Sequence, residues 1–134
     1  MIALIKPEAK FGVQAGRLWL QGQANGSQFY VTPGVIASTI RIASDSRLWA
    51  EKSNVGEVSE VVGKLLKNSF FQVKRETDRT VTIFLSLVEK YSPHSQDVND
   101  LLIAANALEL GAKLVTADQG FHRYSEVEVQ LFSG

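Results

Sequence analysis

The stretch DLLIAANALELGAKLVTADQGF, Asp100 to Phe121, reads as a helix, a stop and a strand with a carboxylate at either end. Its spacing predicts a helix over 97–110 that ends at Gly111, the residue type that adopts the left-handed closing conformation most readily. A strand over 113–116 follows, and Asp118 stands two residues past Thr116, at the strand's carboxyl edge. Asp97 and Asp100 are three apart at the helix start, hence on one face, where the helix dipole favours negative charge.

The same alternation extends outward. Downstream, Asp118-Gln119-Gly120 predicts a turn and 127–132 a last strand. Upstream, Ser92-Pro93-His94-Ser95 breaks the chain behind a helix that Thr77 or Asp78 can cap, with Val81, Phe84, Leu85, Val88 and Tyr91 on one face. Residues 70–73 suit a short buried strand. The clearest helix covers 55–67: Val58, Val61, Val62, Leu65 and Leu66 fall at i, i+3, i+4, i+7 and i+8. Asn54 with Glu57 forms a capping arrangement there, and Asn68 can close the far end. Residues 28–31 read as a strand, and Thr32 is a candidate N-cap with Pro33 in the first helical position. The helix it opens would bury Ile36, Ile40 and Ala43 and show Ser38, Arg41 and Asp45 to water. Residues 7–23 carry Phe11, Ala15, Leu18 and Trp19 at helical spacing, but Gly12, Gly16 and Gly22 cost about 1 kcal/mol each relative to Ala. Residues 1–5 are a brief apolar run of strand type.

Strands separated by helical patterns predict an α/β domain with a mostly parallel sheet and helices on both faces. In such sheets chemistry gathers at the carboxyl ends of the strands, which is where Asp118 falls. With 134 residues, 45% hydrophobic and 21% charged, the chain suits one domain over 1–134 and excludes a disordered or collagen-like protein. Cysteine is absent, so disulfides, thiolate catalysis and cysteine-based zinc sites are excluded. Fourteen Lys and Arg balance fourteen Asp and Glu, against a strongly basic nucleic-acid binder. No apolar run can span a bilayer, and no basic segment precedes the apolar start; the expectation is a cytoplasmic protein with no membrane partner.

Paired carboxylates at a strand edge are how oxygen-ligand sites hold magnesium or manganese, with waters and substrate phosphates completing the shell. Asp100 and Asp118 are the candidates; Asp97, beside Ser95, reads as a helix cap. His94 and His122 have no spacing that suggests metal or general-base work, and His122 with Arg123 reads as a solvated turn, with phosphate contact the second reading. Lys64 and Lys67, like Lys74, Arg75 and Arg79, read as solvated faces, with phosphate contact the second reading. Trp19 and Trp49 read as core or interface residues. No Ser-His-Asp order, P-loop or dinucleotide glycine pattern is present.

The run from Asp100 to Phe121 resembles the C-terminal signature of PIN domains, most of all that of the VapC-type toxins of bacterial toxin–antitoxin pairs. The matching elements are an acid opening an Ala-rich helix, a Gly-Ala turn, a strand ending Thr-x-Asp, and a Phe three residues later. The closing strand around Val127-Glu128-Val129 and the segment from Thr32 to Ile42 are similar as well, with Arg41 at a familiar position. The resemblance implies a PIN-like three-layer sandwich and a magnesium- or manganese-dependent endoribonuclease that cuts by a metal-activated water. It also implies a homodimer and an antitoxin partner. Carried over residue by residue, Asp100 and Asp118 are the two C-terminal acids, catalytic and metal-binding, and Thr116 the hydroxyl residue within the site.

Departures from the pattern lie upstream. Where the family opens with a strand running into Asp-Thr-Asn, this chain has Ile5-Lys6-Pro7, and Ser38 stands where the family has a Glu. Gly120 stands where many members carry a further acid. With two first-shell acids gone, the expectation is impaired or lost catalysis, since even a lost outer partner costs 10–100-fold in metal affinity or activity. Lys6, if it points into the cleft, would compete with the metal, whereas Glu8 or Asp45 could substitute for a missing acid. The alternatives are an active enzyme completed by such an acid or by a second subunit, and a non-catalytic module that binds an antitoxin-like peptide or itself.

Overall fold

Helices alternate with short strands as the periodicity predicts. The computed structural model describes residues 12–116 and 118–131. Along the chain run α1 (Gly12–Ala24), β1 (Phe29–Val31), α2 (Pro33–Ala43), α3 (Val55–Leu66), β2 (Phe71–Val73), α4 (Asp78–Tyr91), a 3-10 turn (Ser95–Asp97), α5 (Val98–Leu110), β3 (Leu114–Thr116), a second 3-10 turn (Gln119–Arg123) and β4 (Val129–Leu131). The chain divides after Arg75 into two compact units. The strand expected over 1–5, with Lys6, Glu8, Phe11 and Phe132, lies outside the described residues.

In the first unit β1 and β2 pair in parallel, with Phe29 opposite Phe71 and Val31 opposite Val73. Trp19 of α1 stacks on Phe71 at 4.8 Å and sits 5.1 Å from Phe29, between ring centroids. The helix comes so close that a Cβ on Gly22 would lie 2.2 Å from the Phe29 ring. The glycine that helix propensity counts as a weakness is therefore a packing requirement. Thr32 caps α2 by accepting the Val35 N–H, and Pro33 takes the first turn as expected. Ala43, Val58 and Val62 form the core between α2 and α3, with Ile36, Ile40 and Leu66 packed against it. Thr39 joins the buried residues of α2, its hydroxyl satisfied by the Val35 carbonyl at 2.7 Å. Asn54 and Glu57 bond reciprocally at the start of α3, each contact 2.8 Å. Val61, expected in the buried stripe, is exposed. Asn68 does not close α3 in a left-handed conformation; Lys67 caps it in the right-handed region, and Asn68 accepts the Phe70 N–H instead. Asp45, expected toward water, is half-buried and takes two side-chain bonds from Arg47.

In the second unit α4 packs on α5, and the core joins Leu87, Leu101, Ala104, Ala105, Phe121, Tyr124 and Val127. The buried face of α4 is rotated from the expected one. Val81 and Leu85 are exposed, whereas Thr80 and Leu87 are buried and Phe84 and Tyr91 lean on the core. Thr80 tolerates burial because Thr77 and Thr80 bond each other's backbone and side chain in a capping box. Ser92 ends α4 in the left-handed region at φ 43°, and Gly111 ends α5 at φ 61°. β3 and β4 pair in parallel, Leu114 opposite Val129 and Thr116 opposite Leu131. Among the described residues each sheet has two strands, and both pairs are parallel, so the fold is α/β. No described helix is long and apolar enough to cross a membrane.

Candidate functional site

Asp100 and Asp118 reach the site by different routes. α5 begins one residue later than predicted, which puts Asp100 in its first turn, half-buried. Asp118 leaves the end of β3 and caps the second 3-10 turn, its Oδ1 accepting the Gly120 N–H at 2.8 Å. Thr116 holds that geometry from behind: its hydroxyl accepts the Asp118 N–H at 3.1 Å. The expected simple turn at 118–120 is thus a five-residue 3-10 turn.

Burial raises the proton affinity of Asp100, and the negative charges of Asp118 and Asp97 raise it further. Arg123 acts in the opposite direction. The three carboxyl groups therefore share one local field, and a bound cation would relieve their repulsion.

Asp97 differs from its expected role. The 3-10 turn ahead of α5 carries the Asp97 N–H to the His94 carbonyl, and the side chain makes no cap bond. Its Oδ2 instead faces Arg123 Nη1 at 3.7 Å. Arg123 is anchored by Nε donating to the Gly120 carbonyl at 2.9 Å, with its guanidinium 5.3 Å from the Tyr124 ring centroid. Gly120 makes this crowding possible, because a Cβ there would lie 3.0 Å from both Arg123 Nη2 and Asp118 Oδ1. Tyr124 is not distinguished in the sequence, and Arg123 reads there as part of a solvated turn with His122. Arg123 lies five residues past Asp118, a distance that only a tight 3-10 turn folds back onto the acids.

Among the described residues no three metal-ligating side chains are grouped closely enough to hold an ion by themselves. Hard oxygen donors such as Asp100 and Asp118 fit magnesium or manganese chemically, as a partial shell that leaves most positions to water and phosphate. Ser38 and Arg41 are exposed on α2 in the first unit. His122 is exposed, as expected of a solvated turn.

An acid opening an Ala-rich helix, joined by one strand to a second acid that caps a tight turn, is the arrangement of a known class. Residues 1–127 match the PIN domain family, and the chain belongs to it. VapC ribonuclease Mb2897 of Mycobacterium bovis and ribonuclease VapC43 of Mycobacterium tuberculosis are each 29% identical to the chain over 90 residues. That match covers 67% of this chain and 61% of either relative, so it spans less than two-thirds of their length.

Proposed function

We propose that the chain is a VapC-like, metal-dependent ribonuclease homologue whose catalysis is impaired. The observation that supports it best is the shared field of Asp100 and Asp118 beside Thr116, in a chain of the PIN family. Asp100 and Asp118 would hold one magnesium or manganese ion, which when bound supplies charge neutralisation at a phosphodiester and an activated water. Thr116 is a positioning residue that fixes the Asp118 backbone. Impairment follows from the small donor set, together with Ser38 and Gly120 in places where relatives of the resembled pattern carry acids.

The same proposal covers the finer architecture, one PIN-like three-layer domain over 1–134 with a mostly parallel central sheet between helices. It also covers a cytoplasmic location, pairing as a homodimer and association with an antitoxin. The test is cleavage of a mixed single-stranded RNA pool by purified protein with and without manganese. Slow, manganese-dependent cleavage that disappears in Asp118→Asn is expected; cleavage that survives both Asp100→Asn and Asp118→Asn contradicts the site.

A further inference from the structure

A cleft of about 220 Å³ opens where α4 ends, and it shares two residues, Asp97 and Arg123, with the acid cluster. Tyr91, half-buried, supplies its aromatic surface and stands edge-on to the buried Tyr124, their rings at 74° with centroids 5.0 Å apart. Arg123 lays its guanidinium over the Tyr124 ring, and Pro93 and His94 complete the lining after the left-handed Ser92 turns the chain. We propose that this cleft is a subsite for one unpaired base of single-stranded RNA, with guanine preferred. The proposal rests on the ribonuclease reading of the neighbouring carboxylates.

Three features lead to that occupant. Flat aromatic and guanidinium surfaces are what proteins use to stack unpaired RNA bases. The cleft is lined by Asp97 and Arg123, whose charges are felt by Asp100, and the proposal directs the phosphate of the seated nucleotide toward the acids. Finally, Asp97 is a carboxylate freed from helix capping that faces Arg123 at 3.7 Å. A carboxylate offers two acceptors and no donor. Guanine presents two adjacent donors on its Watson–Crick edge, whereas adenine and cytosine present a donor beside an acceptor. Arg123 also offers positive charge to the phosphate that follows.

The experiment measures fluorescence anisotropy of labelled pentanucleotides UUGUU, UUAUU, UUCUU and UUUUU against the full chain in EDTA, so that binding is read without cleavage. UUGUU is expected to bind at least about fivefold tighter than the others, the lower bound for a bidentate base contact. Asp97→Asn, which replaces one acceptor by a donor, is expected to abolish that preference while retaining binding, and Arg123→Ala to weaken all four alike. Equal affinity for the four pentanucleotides overturns the subsite, as does a guanine preference that survives Asp97→Asn. Guanosine monophosphate competing as well as UUGUU would mark a free-nucleotide site and overturn the RNA assignment. Manganese-dependent cleavage is scored separately on the same protein. Cleavage without base preference removes the subsite and leaves the ribonuclease reading, whereas guanine-selective binding without cleavage does the reverse.

Discussion

The hydroxyl of Thr116 accepts the backbone N–H of Asp118 at 3.1 Å, so the last residue of β3 fixes the carboxylate that follows it. Thr116→Val keeps the branched shape and removes the acceptor. Calorimetry is expected to show a loss of about 1 kcal/mol or less, a fall in Tm of a few degrees. Manganese binding should weaken as well, because Asp118 loses its tether. Unchanged affinity would mean that the Gly120 N–H suffices to orient the carboxylate.

Gly22 separates two physical effects of opposite sign. Helix propensity alone makes Gly22→Ala stabilising by about 1 kcal/mol. The 2.2 Å approach of the added Cβ to the Phe29 ring makes it destabilising, by roughly 1–3 kcal/mol for an overpacked site. A lower Tm for Gly22→Ala is expected. A higher one would show that Phe29 swings aside freely.

Much of this was legible because it is local. Thr32 with Pro33, and Asn54 with Glu57, cap their helices as the sequence predicts, since a cap needs only neighbours three residues apart. The face of α4 was not, because its apolar residues form two stripes and Thr80 is buried for a reason hydropathy does not measure: a satisfied hydroxyl. At the site, Asp100 and Asp118 stand out by their place at element ends. Asp97 stands at an element end too and reads as a cap, but its turn toward Arg123 goes with the 3-10 turn over Gln119–Arg123, which spacing does not reveal.

Glu126 links α4 to the turn before β4. It accepts from the Tyr91 hydroxyl and pairs with Lys90 at 3.2 Å. The Tyr91 bond, more than the Lys90 contact, lowers its carboxyl from the ordinary 4.5 to about 2. The stability this provides is complete above pH 4.5 and is lost as pH falls toward about 2. Glu126→Gln should therefore melt a few degrees lower at pH 7, since much of the pair faces solvent, and the gap should close on acidification. A gap that persists at pH 2 would assign the effect to packing.

Arg123 brings a fixed positive charge to the acids. Arg123→Ala is expected to tighten manganese binding, by up to about fivefold for a half-exposed charge. Isothermal titration reads this directly. Weaker binding in the variant would show that Arg123 orients the acids more than it competes with the ion.

The central claim is that Asp100 and Asp118 still hold a divalent ion. Anomalous diffraction at the manganese edge, from crystals soaked in manganese chloride, tests it most directly. The account predicts one peak of partial occupancy bridging the carboxylates of Asp100 and Asp118, absent in Asp118→Asn. A peak ligated elsewhere, or none at saturating manganese, would contradict it.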